Sequence, residues 1–295
     1  MKYYGMLTLA AILLALDFAV AKLYQKRAGT SLSAGFSFNA LLGLFTAFVF
    51  WIIGGFSFQI TWFSTIMAVL LTVFATSYTL IGFRILRAGS MALYSLFLMT
   101  GGMTLPYLWG LLFLDEPFSW LHAAGLCILI GAVLLSNLPR HGEKINAKLI
   151  AMCLAIFVLN GFVSIVSKTH QIEATLPVVD TTGFVILSGL AKFVISGIAY
   201  LIIKLTGKKK ESTPKTSNSL PIMALIFSSA IIGGLSYRLQ LMGAKNLPAT
   251  VLYPFITGGS MIFSSIVGAT VFREKLSKNL VLGIGLCFIG TLLFL

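Results

Sequence analysis

Asp17 lies deep in a long apolar run, and Lys192 and Arg238 lie in two later ones. An ionisable group in such surroundings is expensive, so it should face an interior or a water-filled space and find a partner there. Asp17 is the only acidic residue so placed. Its carboxylate suits two chemistries: taking up a proton or cation that drives a coupled process, or a structural ion pair or hydrogen bond between helices. Lys192 and Arg238 both qualify as its partner on depth alone. A guanidinium can also hold a solute carboxylate through two parallel bonds, and a long cationic side chain can instead snorkel to the interface. Tyr78, Tyr94, Tyr237 and Tyr253 offer rings and hydroxyls to a small organic solute if they face inward. Tyrosines also populate membrane interfaces for purely physical reasons. Asn160 is a neutral polar group placed to bond across helices or to reach a solute. Thr257-Gly258-Gly259 and Thr100-Gly101-Gly102 combine a hydroxyl with glycines. They suit close helix packing, or a flexing gate where Pro106 and Pro254 loosen the helices nearby.

Catalysis would need constellations that this chain lacks. There is no phosphate-binding Walker loop, no nucleophile elbow and no zinc-protease motif. His122, His141 and His170 stand alone near the ends of apolar runs and are expected to be exposed. Cys127, Cys153 and Cys287 sit within apolar runs as small buried hydrophobes, without disulfide or metal spacing. No cofactor, no metal and no enzymatic activity are expected.

The elements that must position these residues are written in the composition. Hydrophobic residues make up 58% of the 295 and charged residues only 10%, too little charge to cover a soluble surface. A bilayer-crossing helix needs about 20 apolar residues. Spans are predicted near 4–24, 34–54, 63–85, 90–113, 118–137, 147–167, 180–205, 220–243, 248–271 and 277–295. Only helices satisfy the backbone in lipid when they cross it in this way. Lys2, the run that follows and Ala19-Val20-Ala21 are similar to a secretory leader. Nine further spans favour an uncleaved first helix.

The two halves of the chain repeat each other. Ala92 aligns with Ala249, and Thr100-Gly101-Gly102 with Thr257-Gly258-Gly259. Leu114-Asp115-Glu116-Pro117-Phe118-Ser119 recurs as Phe272-Arg273-Glu274-Lys275-Leu276-Ser277, and Ser77-Tyr78 as Ser236-Tyr237. The offset stays within 157 to 159 residues. Two copies of a five-span unit insert with opposite orientations, an inverted repeat with a solute site near the midplane. The expected fold is an all-α integral membrane protein of ten transmembrane helices, two inverted five-helix repeats around a central cavity. Residues 1–138 form the first repeat, 139–146 a linker and 147–295 the second.

On these residues the chain resembles the EamA family of the drug/metabolite transporter superfamily. The resemblance rests on the paired Glu turns and the glycines beyond them, Gly125 to Gly131 and Gly283 to Gly290. Leu86-Arg87-Ala88-Gly89-Ser90-Met91-Ala92 and Ala244-Lys245-Asn246-Leu247-Pro248-Ala249 are similar to the family's link between its third and fourth helices. The resemblance implies a cavity lined by the first, third, fourth, sixth, eighth and ninth helices, with the seventh peripheral. It therefore favours Arg238 as a substrate contact and a snorkelling role for Lys192. Family substrates include amino acids, other metabolites, sugars and drugs, and many members export. A small-metabolite exporter working by alternating access is expected, with protons as the possible coupling ion through Asp17. A flippase for a lipid-linked molecule is the rival reading. Glu116 and Glu274 are assigned a structural role, since each stands in a tight link where a carboxylate suits the positive end of a helix.

The net charge of +13 points to topology rather than to nucleic acid, because the Lys and Arg residues cluster in short connectors. The amino-terminal side holds three, Lys2, Lys168 and Lys245, and the other side holds sixteen. The crowded side belongs in the cytoplasm. Both termini are then outside, in a bacterial inner membrane. Membrane lipids and the solute are the expected partners, with the chain a monomer or homodimer.

Overall fold

The computed structural model describes residues 2–29, 31–87, 91–136, 147–206, 219–273 and 278–295. The linker 139–146, His141 and Glu274 lie outside the described residues. Ten helices follow in order: α1 Lys2–Ala28, α2 Leu32–Ile53, α3 Trp62–Arg87, α4 Met91–Phe113, α5 Trp120–Ser136, α6 Ala147–Ile172, α7 Thr181–Leu205, α8 Ser219–Asn246, α9 Ala249–Val271 and α10 Lys278–Leu292. Eight are long and apolar enough to cross a bilayer, and α5 and α10 are shorter apolar helices. No strand occurs among the described residues. Large apolar side chains face outward along the helices, Phe48, Leu112, Val194 and Ile289 among them. In water that surface would be a liability; in lipid it costs nothing.

Local chemistry sets several helix starts. The Ser31 hydroxyl accepts from Ala34 N at 3.1 Å and opens α2. Asp180 opens α7 by accepting from Gly183 N at 2.9 Å and Thr182 N at 3.2 Å. Helix α9 begins after Pro248, which has no side-chain group for this task, and its first amides are satisfied from another element.

The packing pairs helices across the halves. α2 lies against α7, α5 against α10, and α4 against α9. α1 packs on α8 and α9, while α6 packs on α3 and α4. Exchanging each helix for its counterpart five places along reproduces this pattern. The links after α4 and α9 share a backbone detail: Asp115 and Arg273 both take the left-handed conformation, at φ 51° and 52°. These are aligned residues of the repeated Glu turn.

Three expectations need correction. α6 runs to Ile172, a turn past the predicted end, because Lys168, His170 and Gln171 are buried in protein rather than presented to lipid or water. His170 is only 1% exposed: its ring stacks on Phe184 at 3.7 Å and its Nε2 lies 2.8 Å from Ser64 Oγ. Cys153 and Cys287 are buried, but Cys127 is exposed on α5, where lipid tolerates a thiol as it does any small hydrophobe.

Candidate functional site

The helices enclose a cavity of about 410 Å³, within the range of small-molecule sites. Its walls come from α1, α3, α4, α6, α8 and α9, and also from α2 and α7. The inclusion of α7 overturns its expected peripheral place. The cause is a close crossing of α2 and α7, where Gly43 and Gly189 face each other. A Cβ on Gly189 would come within 2.8 Å of the Gly43 carbonyl oxygen. Only glycines let the two backbones approach so near, and the approach brings α7 into the wall.

Lys192, one turn beyond Gly189, lines the cavity, with its stem against the Gly43 backbone. Among the described residues it forms no hydrogen bond and no ion pair within 4.0 Å. Asp17 stands on another wall. The Ser229 hydroxyl of α8 donates to Asp17 Oδ1, and a Cβ on Gly233 would meet Oδ2 at 2.8 Å. The carboxylate is thus held against α8, within electrostatic reach of Lys192 but not in contact with it. Arg238, the sequence choice for a substrate contact, does not line the cavity, and its Nε is buried without a partner. Adjacent residues on a helix point about 100° apart, and Tyr237 takes the inward direction. A signal for Lys192 was present: Ser188 and Gly189 precede it by one turn, and small residues at that spacing mark a helix face that packs closely.

Tyr78, Asn160, Tyr237, Tyr253 and Thr257 also line the cavity. Tyr94 does not; its ring packs on Gly82, one turn beyond Tyr78. Asn160 Nδ2 donates to Leu98 O at 2.7 Å, tying α6 to α4. The Tyr253 hydroxyl donates to Ser164 O at 2.6 Å, and the Tyr237 hydroxyl lies 3.0 Å from Ser167 Oγ. These polar groups are tethered, yet keep one side toward the cavity. Gly101 lies on the Phe157 backbone and Gly258 on the side chains of Thr291 and Leu129, so both glycine pairs take part in helix packing.

Beyond the tyrosines, on the side that holds the amino terminus, side chains tie the ends of several helices together. Glu116 crosses from the α4–α5 link to the second half. Its Oε1 accepts from Ala249 N at 2.6 Å and its Oε2 from Thr250 N at 2.9 Å. These are the amides that Pro248 leaves unsatisfied. The structural assignment of Glu116 therefore stands on a different helix from the expected one: it caps α9, not the helix that follows it. Lys168 complements it. Its Nζ donates to Ala244 O at 2.8 Å and Leu247 O at 2.6 Å, capping the last turn of α8. An anion at a helix start and a cation at a helix end each suit the local dipole. α6 and α8 are in contact, whereas the counterpart pair α1 and α3 makes no comparable contact.

Ten apolar helices, eight of them walling a central cavity that carries ionisable groups, define an integral membrane protein. The profile of the EamA-like transporter family matches residues 147–295, and the chain belongs to that family, membrane transporters of the drug/metabolite type. No curated protein matches the chain in sequence. In structure 27 solved chains match it. One, a crystal structure described only as that of a protein, superposes with a TM-score of 0.75. The superposition covers 98% of this chain and 96% of that one at 17% identity, a likeness of fold alone.

Proposed function

We propose that this chain is a secondary-active transporter that moves a small metabolite outward by alternating access. The carrying observation is the central cavity walled by helices of both halves, with Glu116 and Lys168 tying helices together on the amino-terminal side, which we read as its closed face. The exchange pattern of helix contacts and the shared left-handed link residues support two inverted repeats. In that geometry the same site is offered to each side in turn. The positive-inside rule puts the basic connectors in the cytoplasm and both termini outside, in a bacterial inner membrane. The closed face is then the outer one, and the cavity belongs to a cytoplasm-facing state, the loading state of an exporter.

Asp17 is the coupling group in this reading. It is the one carboxylate on the cavity wall, and a proton or a cationic solute would compete for it. The test is flux into proteoliposomes across a pH series, comparing the parent chain with Asp17→Asn. Asparagine keeps an acceptor for Ser229, so the fold should survive. The pH dependence should flatten in the variant. An unchanged pH profile in a well-folded variant would remove Asp17 from coupling.

A further inference from the structure

We infer that the cavity selects a dipolar solute, held by its ammonium at Asp17 and by its anionic group at Lys192. The inference rests on the transporter reading of the same cavity and names the charge pattern of its cargo.

Lys192 carries the argument. A lone ammonium at this depth costs several kcal/mol unless a counter-charge meets it. The nearest one is Asp17, but the two do not touch. In this structure each stands on its own wall of the cavity. Asp17 is held against α8 by Ser229 and Gly233. The stem of Lys192 leans on α2 at Gly43, where a Cβ would stand 3.1 Å from Lys192 Cβ. A direct ion pair would need the Lys192 side chain to swing from the position it holds here. A solute with opposite charges at its two ends bridges the gap instead. Charge-assisted bonds of about 2.8 Å at either end satisfy both groups at once. A solute with one charge leaves a buried partner unmet, which is how a polar site rejects an analogue that lacks a group. Leu98, Met99 and Ile256 give the cavity an apolar wall, which suits a carbon body. Amino acids fit this pattern, and so does an ammonium–phosphate lipid headgroup.

The test is ligand-induced thermal stabilisation of the purified chain, with counterflow in proteoliposomes as the second readout. The probes are α-, β- and γ-amino acids, phosphoethanolamine, and matched alkylamines and alkyl carboxylates that lack one charge. At least one dipolar probe should stabilise the protein, with at least a tenfold weaker effect from both of its singly charged analogues. Lys192→Met should weaken that probe at least tenfold, strengthen the matching amine because no cation is then left unmet beside it, and leave the melting temperature equal or higher, since an unpaired charge is removed. Lys192→Arg should restore the dipolar preference. Preference for amino acids assigns the dipole to a free solute; preference for phosphoethanolamine assigns it to a headgroup. Equal binding of a parent probe and its singly charged analogue overturns the inference and leaves the transporter standing. Unaltered dipolar binding in Lys192→Met does the same. Silence of every probe in both readouts counts against the transporter reading itself.

Discussion

At the level of single residues, the cavity works by holding charged groups still. Asp17 gains a hydroxyl donor from Ser229, and hydrogen bonds to charged groups contribute about 1.5–3 kcal/mol. Ser229→Ala should release the carboxylate, lower solute affinity about tenfold by ligand titration, and lower the melting temperature by a few degrees. Gly233→Ala should act more harshly. Its methyl would meet both the carboxylate carbon and Oδ2 within 2.9 Å, so Asp17 must swing away, at a cost of about 1–3 kcal/mol for overpacking. The apolar runs made Asp17 and Lys192 conspicuous, because charge inside a hydrophobic stretch is rare. Which cation faces inward was harder to read. Lys192 lies near the middle of α7 and Arg238 towards the end of α8, yet either could reach Asp17, and the angular position set by Tyr237 and by the Gly43–Gly189 crossing separates them. That crossing depends on a contact between residues far apart in sequence, which no local pattern reports.

Helices and links explain the face read as closed. Span positions were legible to within a few residues because lipid demands long apolar runs. The end of α6 was not, since burial of Lys168 inside the protein lets a charged residue continue the helix. The Glu116 turn was legible as a helix-terminus motif, yet its target was hidden, because α9 is brought to it only by the fold. Pro248 was the clue: a helix that starts after a residue with no capping side chain takes its cap from elsewhere. Glu116→Gln leaves one good acceptor and no charge for two amides, and should loosen the seal. Thr46 lines the cavity and can report this as Thr46→Cys in a chain without its three native cysteines. The reporter should label with an impermeant maleimide from the basic face only. Adding Glu116→Gln should raise labelling from the amino-terminal face several-fold. Labelling that stays one-sided would mean that Glu116 stabilises α9 without gating the cavity.

Taken whole, the molecule pairs helices five places apart and carries a lopsided charge. The proposed orientation rests on sixteen connector cations on one side against three on the other and on the positive-inside rule, and burial of Lys168 removes one of the three from the solvent side. A phosphatase reporter, active only outside, should work when fused in the α4–α5 link and fail in the α7–α8 link. The opposite pattern would invert the assignment of faces, and with it the direction in which the cavity now opens. Paired motifs suggested the proposed repeat, and Asp115 and Arg273, which those motifs align, share a left-handed backbone. The substrate was not readable, because the groups that meet it come from eight helices and are assembled only in three dimensions. The most direct measurement of the central claim is counterflow in proteoliposomes with a solute that stabilises the protein, run beside a Thr257→Trp variant that fills the cavity. The account predicts saturable exchange by the parent chain and loss of at least nine-tenths of it in a variant that remains folded. Equal exchange by both chains would place the transport path somewhere other than this cavity and contradict the account.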